Sequence, residues 1–259
     1  MTISNILTGI LAIAVLGLSS CIRYDDERNY NNVNYNNTNV GYASIKGHVS
    51  LYDIYGNLVS SKPAGIQINL IGNYSKATQT DTTGYYAFAR LNSNTYYNIY
   101  VADTASLQPY GNTVLYAVHL NDTLTQNISL SAIPAFAPLS FTGVKDSATQ
   151  SDSIYLSFSA DTMARAALVV VNNNTSVSTS SLDYLLAYVV NIPAHATQVS
   201  FGIAATDMHH AGISSGNMAY FAAYGYVVND HSLYKDQSSG KYMYTAVSNA
   251  AVTGSVRVP

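Results

Sequence analysis

A period-two alternation of apolar and polar residues is the feature that most constrains how this chain can fold. In the first such run, Ile45 and Val49 fall on one side of the chain, and Lys46 and His48 fall on the other. This spacing places the apolar side chains on one face of a β-strand. Further short runs of this kind follow, separated by turn-forming residues. The pattern predicts an antiparallel β-sandwich over residues 43–132.

Three spaced motifs make this first segment more specific. They are G-x-V, then P-x-G followed by alternating apolar residues, then T-D-x-x-G-x-Y-x-F-x-x-L, and they are carried by Gly47 and Val49; by Pro63, Gly65, Ile66, Ile68 and Leu70; and by Thr80, Asp81, Gly84, Tyr86, Phe88 and Leu91. The pattern resembles the carboxypeptidase regulatory-like domains, which have a transthyretin-like sandwich. The resemblance implies a structural or binding module without catalytic activity. The glycine usual before the next strand is replaced near Asn94, and asparagine tolerates left-handed backbone geometry.

A second β-rich block follows a short proline-containing segment. Residues 133–138, with Pro134 and Pro138, are predicted to be a linker. The block 139–259 holds candidate strands at 139–141, 154–158, 166–171, 185–192, 199–205, 218–228, 242–247 and 255–258. The predicted fold class is therefore all-β, with two antiparallel β-sandwich domains of transthyretin-like or immunoglobulin-like type.

The only cysteine, Cys21, ends an apolar N-terminal segment. Residues Ile6–Leu18 would form a helix of about 20 Å, too short for a bilayer core of ~30 Å. Residues 1–20 are therefore predicted to be a signal peptide. The sequence Leu18-Ser19-Ser20-Cys21 resembles the lipobox of bacterial lipoproteins, which implies an acylated Cys21 as the mature N-terminus.

Residues 21–42 are predicted to be a tether between the lipid anchor and the first sandwich. The charged run Arg23–Arg28 resembles the short acidic export signal of surface lipoproteins of Bacteroidota; a solvated tether is the alternative. Residues Asn29–Tyr42 are rich in Asn and Tyr and have too little apolar surface to offset the entropy of ordering. The expected location is the outer membrane, at the cell surface.

The sequence carries no strong catalytic signature, and a non-enzymatic protein is expected. Charged residues make up 10% of the chain and the net charge is -3, and because no basic cluster is present, nucleic-acid binding is not expected. The segment Gly212–Gly216 matches G-x-S-x-G, but that motif needs a strand–turn–helix setting. No catalytic residue and no cofactor are predicted.

Two groups of residues are weak candidates for ligand binding. Asp207, His209 and His210, joined by Asp230 and His231, could bind a metal. A polar loop between strands, with adjacent histidines on opposite faces, is the favoured interpretation, and no metal site is predicted. The strand residues Tyr220, Tyr224 and Tyr226 share one face by spacing. They could stack on sugars or form a protein interface, or be half-buried core.

A repeated triplet of Asp, then Ser or Thr, then an apolar residue or Thr indicates modification. It resembles the O-glycosylation acceptor of exported Bacteroidota proteins and implies acceptor hydroxyls at Thr82, Thr104, Thr123, Ser147, Ser153 and Thr162. The alternative is that these pairs simply form turns. Glycosylation is the favoured interpretation because sugars would also solubilise a surface poor in charge.

These features predict a cell-surface lipoprotein that acts as a non-enzymatic binding or accessory module. Its partners would be the membrane, through acyl chains on Cys21, and a protein or glycan. A structural subunit of fimbrial type is the alternative, because fimbrial proteins of similar bacteria are also two-sandwich lipoproteins. A metal-dependent enzyme that uses His209 and His210 is third.

Substitution of the lipidation residue tests the anchor. Because each buried CH₂ of an acyl chain contributes about 0.8 kcal/mol to membrane binding, Cys21→Ala is expected to move the protein from the membrane to the soluble fraction. Cell fractionation measures this. Unchanged membrane association of the variant would contradict the prediction.

Overall fold

The computed structural model describes residues 41–102, 109–146, 151–180 and 182–258. These residues lie in one compact unit, Asn39–Pro259, and in the described ranges its regular secondary structure is β-strand apart from one six-residue helix. The all-β prediction is confirmed. Cys21, most of the tether, Thr104 and Ser147 lie outside the described residues. Within them, no helix is long and apolar enough to cross a membrane.

The first half of the described chain forms a β-sandwich. Its strands are β1 (Tyr42–Tyr52), β2 (Leu58–Ser60), β3 (Gln67–Ile71), β4 (Ser75–Gln79), β5 (Tyr85–Asn92), β6 (Thr95–Ala102), β7 (Thr113–Leu120), β8 (Thr123–Thr125) and β9 (Ile128–Ser131). One sheet has the order β2-β1-β5, with β8 and β9 parallel to β1, and the other has the order β4-β3-β6-β7. Their facing sides enclose one apolar core.

The apolar and polar residues of β1 alternate between the buried and the exposed face as predicted. Ile45 and Val49 are fully buried in the core, whereas Lys46 and His48 are exposed. Gly47 lies on the buried side, where a Cβ atom would overlap the carbonyl oxygen of Gln126. A glycine is therefore required for the close approach of the chain beside β1.

Hydrogen bonds of Thr80 explain why the second and third motifs are spaced as they are. Its Oγ1 donates to the Pro63 carbonyl oxygen at 2.5 Å and accepts from the Ile66 N–H at 3.0 Å. Since Thr80 is buried, both bonds hold the start of β3 against the turn before β5. Gly84 in that turn has φ +73°, and Asn94 has φ +54°. The asparagine thus adopts the left-handed geometry that the sequence predicted for it.

The second half forms another sandwich with one short helix. Its elements are β10 (Ser140–Asp146), β11 (Ser151–Ser157), β12 (Arg165–Asn172), β13 (Leu186–Ile192), β14 (Gln198–Ala204), α1 (Ala205–His210), β15 (Met218–Tyr226), β16 (Tyr234–Lys235), β17 (Tyr242–Met243) and β18 (Val247–Arg257). A sheet β10-β11-β14 packs on a sheet β13-β12-β15-β18, and β16 and β17 form a hairpin.

The structure corrects the sequence interpretation in two places of this half. The segment Val247–Arg257 is one long strand, β18, whereas the sequence predicted two short strands separated by residues 248–254. Small and polar residues fill much of this strand, so its apolar alternation is weak. The helix α1 was not predicted, because its six residues are too few to show a helical period.

Strand β12 is buried along its whole length. Ala167, Val169 and Val171 face the core between the two sheets. Ala166 and Leu168 face the opposite side, where a second apolar cluster forms under segments 173–185 and 227–247. Both faces of this sheet are therefore covered, one by a sheet and one by connecting segments.

The two sandwiches contact each other through polar and aromatic groups. The rings of Tyr52 and His231 stack with centroids 3.9 Å apart. The Ser131 N–H donates to Ser232 Oγ at 2.7 Å, and Ser131 Oγ accepts from the His231 N–H at 2.7 Å. Residues 133–138 join β9 to β10 outside any strand. The domain boundaries stay a prediction.

A core substitution with a surface control tests the second sandwich. Ile154 in β11 is fully buried, whereas Leu139 is 65% exposed. Ile154→Ala removes buried methyl groups and leaves a cavity, so it is expected to lower the free energy of unfolding by about 2–5 kcal/mol. Leu139→Ala should change it little. Equal shifts in urea denaturation midpoints for the two variants would contradict this packing.

Candidate binding groove

Two clefts, together called the groove, lie over the outer face of strands β15 and β18, on the side away from the sandwich core. The larger cleft, of about 540 Å³, lies next to Tyr224, and the smaller cleft, of about 270 Å³, lies next to Tyr220. Segment 175–180 forms one wall, and residues 243–245 of the hairpin end contribute to the other.

A β-bulge creates the depression at the larger cleft. Tyr224 pairs with Ala251, but the next paired residue, Tyr226, lies opposite Val247, so β18 carries extra residues between these pairs. The side chain of Ser248 stabilises the bulge, because its Oγ accepts from the N–H of residue 225 at 2.9 Å and donates to the carbonyl oxygen of residue 250 at 2.7 Å. Bulges of this kind bend a strand and redirect its side chains.

The first wall is held in place by the end of β12. The side-chain amide of Asn172 donates to the carbonyl oxygen of Asp183 at 2.9 Å and to its carboxylate at 2.5 Å. Farther along, the Ser178 N–H donates to the same carbonyl oxygen at 3.1 Å. Asn172 is buried, so these bonds form with little competition from water. They fix the loop that presents residues 178–180 to the cleft.

The hairpin is tied to this wall by a lysine and a tyrosine. Lys241 Nζ donates to the carbonyl oxygens of Leu182 at 2.9 Å and Tyr184 at 2.5 Å, and lies 5.1 Å from the centre of the Tyr184 ring. The Tyr184 hydroxyl donates to the Tyr242 carbonyl oxygen at 2.7 Å. The two walls are therefore cross-linked by hydrogen bonds and a cation–π contact.

The hairpin end is also anchored to the first sandwich. Thr245 Oγ1 donates to the carbonyl oxygen of Asn112 at 2.6 Å, and Ile133 from the segment between the sandwiches lines the cleft. The shape of the cleft thus depends on both sandwiches.

The three tyrosines of β15 have different environments. Tyr226 is buried, and its hydroxyl donates to the Asp230 carboxylate at 3.0 Å. Tyr224 and Tyr220 are half-buried, and each lines one of the two clefts. Both sequence interpretations therefore apply in part, since one tyrosine belongs to the core and two present part of their surface to the groove.

The lining of the larger cleft consists of neutral groups. This cleft is lined by Ser178, Thr179, Thr245 and Asn249, which carry hydroxyl or amide groups, and by Tyr224 and Tyr244. Burial, with smaller contributions from nearby Tyr242 and Asp230, raises the pKa of the Tyr244 hydroxyl to about 12. That hydroxyl stays protonated at neutral pH. Such a lining can hydrogen-bond a neutral polar molecule while ring faces pack on its apolar parts.

The histidine candidates do not come together into a metal site. His209 and His210 lie exposed on α1, whereas the sequence placed them in a loop. Asp230 and His231 are engaged elsewhere, with Tyr226 and Tyr52. Across the described ranges, no three His, Cys, Asp or Glu side chains are grouped for metal binding.

The G-x-S-x-G match lies in a turn after α1 and before β15. Gly212 and Gly216 have φ +86° and +80°, and the Asn217 N–H donates to the Ser214 carbonyl oxygen at 3.1 Å. This order, helix–turn–strand, is the reverse of the one that a nucleophile elbow needs. Both glycines supply the positive φ angles that this turn requires.

The predicted glycosylation acceptors within the described residues lie at the surface. Thr82, Thr123 and Thr162 are exposed and Ser153 is partly exposed. The preceding aspartates also have a structural role, because their carboxylates accept backbone N–H groups, at 2.7 Å for Asp81 and Thr83, 2.7 Å for Asp122 and Thr123, and 3.1 Å for Asp161 and Met163. Turn formation accounts for these three aspartates, and glycosylation stays a prediction.

No protein-family model matches the chain, and no curated protein matches it. Among solved structures, it is similar to a candidate carbohydrate-binding protein of Bacteroides uniformis, with 13% identity, a TM-score of 0.30, and coverage of 83% of this chain and 98% of that chain. A DUF3823 family protein of Parabacteroides merdae has 10% identity, a TM-score of 0.30, and coverage of 85% and 100%. A two-domain fibronectin type III segment of chicken tenascin has 9% identity, a TM-score of 0.24, and coverage of 77% and 86%. The fold class rests on the strand pairing described above.

The carboxyl of Asp230, which accepts from the Tyr226 hydroxyl, makes stability depend on pH. Burial raises the pKa of Asp230, against the opposing effect of hydrogen bonds from Ser232 and Tyr226. The folded protein therefore binds this proton more tightly than the unfolded chain does. The stabilising contribution is complete below the unfolded pKa of about 3.9 and is lost as the pH rises through the folded value.

Asp230→Asn removes the cost of burying this charge. The variant is expected to melt at a higher temperature than the unsubstituted protein at neutral pH, and the difference should shrink as the pH falls toward about 4. Thermal melts across this range measure the effect, with Asp207→Asn, at an exposed carboxylate, as the control. A difference that does not change with pH would contradict the account.

Proposed function

We propose that this chain is a lipid-anchored, non-enzymatic module that binds a neutral glycan in the groove over β15 and β18. The observation that carries the proposal is the lining of the larger cleft, where Tyr224 and Tyr244 are combined with hydroxyl and amide groups on two cross-linked walls.

The chemistry of this lining matches that of a sugar. A pyranose ring has an apolar C–H face, which packs on an aromatic ring, and equatorial hydroxyls, which both donate and accept hydrogen bonds. Hydroxyls and amides also do both, so they can pair with sugar hydroxyls without leaving a buried group unsatisfied. The neutral lining favours an uncharged ligand.

Binding without turnover is supported by the state of the titratable groups near the groove. The Tyr244 pKa of about 12 is far from the neutral range in which a general base is effective. The Asp230 carboxylate accepts from the Tyr226 hydroxyl and the Ser232 N–H, and is thereby engaged in holding the fold. A metal-dependent activity at His209 is the remote alternative. Loss of such an activity in the His209→Ala variant would support this alternative.

A lipid anchor at Cys21 would place this module at the outer membrane. Acyl chains on Cys21, followed by the tether of residues 21–42, would hold the sandwiches at the cell surface. There the groove would serve uptake or adhesion machinery as an accessory that concentrates glycan near the membrane.

A structural subunit of fimbrial type is the second candidate. It is favoured by the position of β18 at the end of its sheet, since such strands can accept an added strand from another molecule. Size-exclusion chromatography and electron microscopy of unlipidated protein separate the candidates. A binding module should be monomeric, whereas a subunit should form fibres.

Affinity electrophoresis in gels that contain soluble neutral polysaccharides tests the proposed function. Glucans, mannans and xylans serve as probes, and at least one of them is expected to retard the protein. Tyr224→Ala should weaken that binding roughly 3- to 10-fold, the value of one aromatic contact. Tyr42→Ala, at a tyrosine that is 78% exposed and lies in the first sandwich, is the matched control and should leave it unchanged. Retardation by none of the probes, or equal effects of the two substitutions, would overturn the proposal.

A further inference from the structure

We infer that the groove binds an extended oligosaccharide lengthwise along β18, with one sugar position at Tyr224 and a second at Tyr220. This inference rests on the proposed function and specifies its ligand: a chain that occupies both clefts rather than a single sugar in one.

The strand pairing fixes the distance between the two positions. Tyr224 pairs with Ala251, and Tyr220 pairs with Ser255, in continuous register. The two tyrosines are four residues apart on one strand and on the same face, which separates them by about 13 Å at 3.3–3.4 Å per residue. A single sugar ring is too small to contact both.

The two clefts are both lined by segment 175–180 on one side and by strand β18 on the other. On the loop side, Thr175 lines the smaller cleft and Ser178 the larger, within one short segment. On the strand side, Ala251 lines the larger cleft, and Thr253 and Ser255 line the smaller. Alternate residues of a strand point to the same face, so these three residues form a continuous exposed rim.

The exposed route between the two clefts runs along β18. Ala222 lies midway between Tyr220 and Tyr224 and pairs with Thr253. Ala222 is buried in the outer apolar cluster, whereas Thr253 is exposed, so a bound chain would pass over Thr253. The hydroxyl of Thr253 is placed beside this stretch, where it can hydrogen-bond the middle of a bound chain.

Two separated stacking positions predict that affinity depends on the length of the ligand. A short oligosaccharide contacts the larger cleft alone, whereas a chain that spans about 13 Å gains the second ring and the rim hydroxyls. Affinity should therefore rise with length and then level off once the chain reaches Tyr220.

Calorimetric titration of the full chain in detergent, with ladders of gluco-, manno- and xylo-oligosaccharides from the disaccharide upward, measures this dependence. In the series that binds, the longest members are expected to bind at least several-fold more tightly than the shortest. Tyr220→Ala should remove this gain and leave the affinity for the shortest binding member unchanged. Tyr220→Phe keeps the ring and should retain most of the gain, whereas Tyr224→Ala should weaken binding at every length.

The outcomes distinguish this inference from the function on which it rests. If affinity is independent of length, or if Tyr220→Ala weakens short and long ligands equally, the two-position groove is wrong. Should Tyr224→Ala still weaken binding in that case, the proposed function stands. Binding of no ladder at all would overturn both.

Discussion

Burial of strand β12 on both of its faces is the constraint on which the rest of the second sandwich depends. Every residue from Arg165 to Asn172 is buried. The inner face packs on the β10-β11-β14 sheet, but the outer face needs cover of its own, which comes from segments 173–185 and 227–247. These segments are therefore held as part of a core. A groove between them has the fixed shape that binding with little ordering cost requires.

The junction between the sandwiches extends this constraint to the whole described chain. Ile54 from the first sandwich packs against the outer cluster, and Thr245 at the rim of the groove bonds to Asn112. The contacts described at the junction are mainly stacked rings and hydroxyl hydrogen bonds. The only cysteine of the chain is predicted to carry lipid, so no disulfide is expected between the sandwiches. Size and packing, without disulfides, stabilise both cores.

The sequence predicted the first sandwich well because local chemistry decides it. Thr80 joins two motifs by its own hydrogen bonds, so their spacing is visible in the chain, and Asn94 has the backbone geometry expected from its residue type. For the second sandwich, the sequence predicted the fold class but resembled no known family. Strand β18 was not predicted whole, since its exposed side borders the groove and carries small and polar residues in place of an apolar alternation.

The groove itself could be predicted only in part. In the sequence, the spacing of Tyr220 and Tyr224 predicts a strip of aromatic rings on one face of a strand. The two walls could not be found in this way, because segments 175–180 and 243–251 meet Tyr224 only through strand pairing and the Lys241 contacts. The bulge at Ser248 likewise depends on pairing between two strands and leaves no mark in either one alone.

Hydrogen–deuterium exchange with and without a bound neutral oligosaccharide tests the central claim most directly. If the groove is the binding site, backbone amides in residues 175–180 and 243–251 should exchange more slowly when the glycan is present. The sheet of β3 and β6 in the first sandwich should be unchanged. The account would be contradicted if only the first sandwich were protected, or if the glycan left exchange in both groove segments unchanged.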